Sequence, residues 1–132
     1  MSEKGDPKDE YLDLCETMRH FGNIRFAQMT LYLAITAGIV TTLFQSDTIS
    51  HLARISLKIG GIIVTILFWL MDARAMDYWN HFRRRAIQLE KTLNFEQWSK
   101  SPADKFFSTT NILKILYILI LAFWIITIVL NY

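Results

Sequence analysis

This sequence predicts an all-α integral membrane protein with three transmembrane helices, and three observations carry that reading. First, 132 residues that are 52% hydrophobic and 14% aromatic hold more apolar surface than one small soluble core can bury. Second, the excess is collected in three runs, 26–45, 55–71 and 112–130, each long enough to cross a hydrocarbon core of roughly 30 Å at about 1.5 Å per residue. Third, apolar residues outside these runs recur at spacings of three and four, the period of one helix face. Nothing in the chain alternates as a strand does, and no internal repeat or low-complexity tract is present.

Residues 1–24 form the first expected unit, an amphipathic cytoplasmic helix. Asp6 is placed as N-cap with Pro7 at the first helical position, acids fill the first turn, and Gly22 with Asn23 is the expected stop. Tyr11, Leu14, Cys15, Met18 and Phe21 make a single apolar stripe on an otherwise charged rod. The opening residues are hydrophilic and no small-residue cleavage site follows the first apolar run, so no cleavable signal peptide is expected. Cys15 reads as a small packing residue.

Residues 25–132 form the expected membrane domain. In its first span Ala27, Thr30, Ala34, Ala37, Gly38, Thr41 and Gln45 share one face, and small residues there let a second helix approach closely while hydroxyls bond across the contact. This is the candidate oligomer or packing face, and a water-filled lumen is the alternative use of the same pattern. In the second span Lys58, Gly61, Thr65, Trp69 and Asp72 share a face; Lys58, Gly61, Thr65 and Asp72 are the candidates for a lumen or gate. Lys58 lies about one turn inside the outer end, where its ammonium can also snorkel outward.

The second span does not stop at the membrane edge. From Ile62 to Ser101 there is no Gly or Pro, and Ala75, Trp79, Phe82, Ala86, Leu89 and Leu93 follow one another at alternating spacings of four and three. One helix of about 58 Å from Ile55 to Leu93 is therefore expected, its 72–93 portion a heptad-patterned cytoplasmic rod offering an assembly or docking seam. Arg83, Arg84 and Arg85 add a basic patch that reads as a solvated helix face. Residues 94–111 are an interfacial loop, with Trp98, Phe106 and Phe107 as membrane-interface anchors. The third span is nearly uniform in Leu and Ile, broken by Lys114, Tyr117, Trp124 and Thr127, and suggests a lipid-facing outer helix.

Charge sets the expected orientation. The long connection carries Arg74, Arg83, Arg84, Arg85, Lys91, Lys100 and Lys105 against Arg54 alone in the first link, so the N-terminus and residues 72–111 are placed in the cytoplasm and the C-terminus outside. The net charge of +2 decides little, because acids and bases are mixed.

Catalytic and metal chemistry lack a convergent set. His20, His51 and His81 fall on separate segments, there is no glycine-rich phosphate loop, and no serine stands in a nucleophile elbow. Arg74 and His81 have a spacing permitted in HEPN ribonucleases, but Ala75 follows the arginine where that family favours a polar residue. The expectation is a non-enzyme with no cofactor, and nucleic acid is not an expected partner.

The layout as a whole, with "FWLMDARAMDYWNHFRRRAIQLEKTL" closing the second span, resembles the SLATT-type small membrane effectors of bacterial immune systems. The resemblance covers 25–93 and rests on Trp69, Asp72 and Arg74 at the inner membrane edge and the Leu89–Glu90 pair beyond it; the third span departs from a plain two-span layout. It implies an oligomer in the bacterial inner membrane that perturbs or permeabilises the bilayer when a cytoplasmic sensor or effector protein signals, in anti-phage defence. A non-conducting scaffold that docks a soluble sensor or enzyme through its cytoplasmic helices is the alternative reading.

Overall fold

The computed structural model describes residues 6–45, 48–100 and 108–130, and these contain three helices and no strand. They are α1 (Pro7–Gln45), α2 (His51–Leu93) and α3 (Thr109–Val129). Each is long and apolar enough to cross a bilayer, consistent with an integral membrane protein. Phe106 and Phe107 lie outside the described residues.

The helix ends follow from local chemistry. At the start of α1 the Asp6 carboxylate accepts the Lys8 N–H at 3.0 Å, with Pro7 in the first turn where its missing N–H costs nothing. Ser50 does the same for α2, its hydroxyl accepting the Ala53 N–H at 3.3 Å, so that helix begins at His51 rather than Ile55. At the other end of α2, Asn94 adopts φ 59° and the Phe95 N–H closes onto the Glu90 carbonyl at 3.0 Å. That is a Schellman closure, which Asn tolerates better than any β-branched residue.

The expected helix stop at Gly22 and Asn23 is not there: α1 runs unbroken through both. A glycine inside a helix costs only about 1 kcal/mol relative to alanine. Here Phe21 offsets a cost of that size by stacking on Tyr78 and packing at a tilt against Phe82, with ring centroids 5.9 and 5.7 Å away.

The chain divides into two compact units. One comprises Met1–Phe26 and Ala73–Ala103, the other Ala27–Asp72 and Asp104–Tyr132, so α1 and α2 each supply residues to both without a break in the helix. In the first unit α1 and α2 are antiparallel: Tyr11 meets Glu90, Phe21 meets Phe82, and Arg25 meets Met76. In the second, α3 runs antiparallel to α2, with Trp69 on Tyr117, Gly61 on Trp124 and Lys58 on Thr127.

Candidate functional site

The first unit is built on the apolar stripe of α1. Tyr11, Leu14, Cys15 and Met18 are buried together with Ala86 and Leu89 of α2, and Trp79, Phe82, Leu93 and Trp98 pack around them. Ala75 is buried as well. Residues of the 72–93 seam are thus covered by the chain's own N-terminal segment, through the non-directional burial that drives any such stripe inward.

At the end of this core sits a buried carboxylate. Glu90 is only 1% exposed, and its carboxylate accepts from the Tyr11 hydroxyl at 3.0 Å, the Trp98 N–H at 2.7 Å and the Ser99 N–H at 3.0 Å. Burial alone would push its pKa up, but the bonds from Trp98, Tyr11 and Ser99 outweigh it and hold the group below the ordinary carboxylate range. Burial and the bond to Glu90 raise the Tyr11 hydroxyl in turn. The consequence is a clasp: one side chain ties the segment after α2 to both helices.

That clasp relocates Trp98. Its indole N–H points at Cys15 Sγ, 3.4 Å away, and its ring meets Trp79 edge-on at 6.2 Å. Trp98, expected as a membrane-interface anchor, is half-buried against the core of the first unit. The three arginines also separate. Arg83 lies over the Trp79 ring at 5.6 Å and donates to the Trp98 carbonyl, Arg85 makes a two-point pair with Glu10, and Arg84 is exposed.

The second unit has a polar and aromatic core. Lys58, Gly61, Thr65 and Asp72 are all buried. The Lys58 ammonium donates to the Thr127 carbonyl at 2.8 Å, and Thr65, with no exposed surface, accepts from the Tyr32 hydroxyl at 3.2 Å while donating to the Gly61 carbonyl at 2.7 Å. Tyr117 packs between Tyr32 at 5.2 Å and Trp69 at 6.3 Å, and Trp124 lies on Gly61. Every polar group placed in hydrocarbon needs such an internal partner. A lumen bounded by Lys58, Gly61 and Thr65 would require these contacts to part.

The small-residue face of α1 is turned the other way. Ala27, Thr30, Ala34, Ala37, Gly38, Thr41 and Gln45 are all exposed, and a Cβ placed on Gly38 would meet nothing within 4 Å. The inward residues of this span are Tyr32 and Leu43. Tyr32 lies off the small-residue face, and its hydroxyl, a polar tip in mid-span that needs a partner, is the sequence signal for its inward position. On α3, Tyr117, Trp124 and Thr127 are buried while Ile115, Ile118, Leu119, Ile125 and Ile126 are exposed, so one stripe packs inward and the remainder is free to meet lipid.

Among the described residues no three His, Cys, Asp or Glu side chains gather as metal ligands would. Comparison with protein-family models, with curated proteins and with solved structures finds no match to this chain.

Proposed function

We propose that the protein is an oligomeric effector or channel-like protein of the bacterial inner membrane, which perturbs or permeabilises the bilayer when a cytoplasmic partner signals. The single observation that carries the reading is the exposed small-residue face of α1, with open space beside Gly38. Helices associate in lipid by close van der Waals approach and weak interhelical hydrogen bonds rather than by hydrophobic burial, so an exposed Ala–Gly–Thr face with space beside Gly38 is suited to a second copy. α1 and α2 each supply residues to both units, so a partner that docks on the 6–26 and 73–100 segments would act on the same two helices that supply the first two spans. The setting of anti-phage defence, with the N-terminus and residues 72–111 in the cytoplasm and the C-terminus outside, follows from the resemblance and from loop charge.

The test is ion leakage from vesicles loaded with a potassium-sensitive dye and containing the purified protein, before and after its cytoplasmic segments are cross-linked to mimic a docked partner. Leakage in either state supports the effector reading; vesicles that hold their gradient in both sink it.

A second reading, a non-conducting scaffold that docks a soluble sensor or enzyme, is favoured by an open groove of about 770 Å³ lined by Tyr11, Leu12, Asn94, Phe95, Glu96 and Gln97, where Leu12 and Phe95 are exposed. Capture of a soluble partner that depends on Leu12 and Phe95, without leakage, would favour it.

A further inference from the structure

An open cleft of about 300 Å³ lies on α2 between Arg74, Asp77, Tyr78 and His81. These positions are three or four apart and share one helix face. The Arg74 guanidinium stands 5.4 Å from the centre of the Tyr78 ring, which fixes a cation at one end of the cleft. Asp77 lies one turn further, and among the described residues it has neither a hydrogen bond nor an ion pair. An arginine that precedes an acid on a helix is in the less favourable order for pairing, and the two charges remain separate. The cleft therefore presents a positive and a negative group, in that order, both open to a ligand.

Depth along the helix narrows the ligand. The apolar run of α2 ends at Met71, and α2 continues as unbroken helix to Leu93. Counted from Asp72, Arg74 is about 3 Å and Asp77 about 8 Å along the axis. The polar layer of one leaflet is roughly 5–8 Å deep, so both charges fall within it, Arg74 towards the hydrocarbon and Asp77 towards water. A phospholipid whose headgroup carries a phosphate on the inner side and a primary ammonium on the outer side has the same order of charge. The axial separation of Arg74 and Asp77, about 4.5 Å, suits the two-carbon link between those groups. A headgroup with no ammonium would leave the Asp77 charge without a cation, and a trimethylated ammonium would give Asp77 no N–H to accept.

We propose that the Arg74–Asp77–Tyr78 cleft is a binding site for the phosphoethanolamine headgroup of a membrane lipid, with phosphate on Arg74, the ammonium on Asp77, and Tyr78 and His81 as its walls. The proposal rests on the helix and its apolar boundary and not on conduction, so a protein that never leaks ions still tests it.

The experiment is native mass spectrometry of the full chain released from detergent containing equal amounts of phosphatidylethanolamine, phosphatidylcholine and phosphatidylglycerol. The expected result is retention of the ethanolamine lipid over the choline lipid by about three-fold, the size one net hydrogen bond from the primary ammonium to Asp77 supports. Asp77→Asn should erase that preference, lowering ethanolamine-lipid retention more than choline-lipid retention, and Arg74→Gln should lower retention of both. Both residues are exposed, so neither change disturbs a core. Equal retention of ethanolamine and choline lipids by the unaltered protein, a preference for the glycerol lipid, or a preference that survives Asp77→Asn would overturn the proposal.

Discussion

A Cβ atom on Gly61 would stand 2.5 Å from Cε2 of Trp124 and under 3 Å from two more atoms of the same indole. A rigid ring cannot yield as the end of a flexible side chain does, so only glycine permits this approach of α2 to α3. Gly61→Ala should therefore cost about 1–3 kcal/mol of overpacking, read as a lower midpoint of unfolding by tryptophan fluorescence in detergent. Gly60→Ala is the control, because a Cβ there meets nothing within 4 Å. Equal midpoints for the two variants would contradict the contact.

The Glu90 clasp makes a pH prediction. Its folded pKa lies below the ordinary carboxylate range, so its contribution is fully present above the unfolded value of about 4.3 and is lost as pH falls through the lower folded value. The first unit should hold its stability at neutral pH and lose it in acid. Glu90→Gln, which exchanges charge-assisted bonds for neutral ones, should cost about 1–3 kcal/mol at pH 7 and flatten the acid limb. Amide exchange at Trp98 and Ser99, the two N–H donors to Glu90, is the local readout. Protection that is the same in the variant would remove the clasp from the account.

Tyr32 and Thr65 should couple. Their hydroxyls are 3.2 Å apart in the core of the second unit. A double-mutant cycle with Tyr32→Phe and Thr65→Val should return an interaction of about 0.6 kcal/mol, the typical worth of a hydrogen bond between membrane helices. Strict additivity of the two single changes would show that the bond contributes nothing.

The outward face of α1 separates folding from assembly. Ala34 is exposed and Gly38 has open space beside it, so leucine at both positions should leave the protomer's unfolding midpoint unchanged while reducing the oligomer measured by native mass spectrometry. An unaltered oligomer would move the interface elsewhere.

Much of this architecture was legible in the chain. Three apolar runs of bilayer length, the Asp6–Pro7 start of α1 and the continuity of α2 to Leu93 follow from composition, capping and the lack of Gly or Pro, all of which act locally. Gly22 and Asn23 misled because local propensity is weak beside packing, and Phe21 on the neighbouring turn has two rings of α2 to stack against. The contacts of Trp98 were not legible for a different reason: composition says where an indole is tolerated, whereas its backbone and ring N–H groups are placed by acceptors on Glu90 and Cys15, far from it in sequence or on another helix.

By itself, then, the sequence determined which segments are helical and which are apolar and long enough for lipid, because solvent and backbone hydrogen bonding act on each segment alone; the length of α1 was set by packing across Gly22 and Asn23. Only the tertiary structure decided which face of the α1 span turns inward. Tyr32 rather than the Ala–Gly–Thr face is buried, and Lys58 and Thr65 find partners within the protomer. The Tyr11–Glu90 bond spans 79 positions of sequence. Such choices depend on complementary groups meeting across helices, and no periodicity within one helix encodes where its partner's groups will stand.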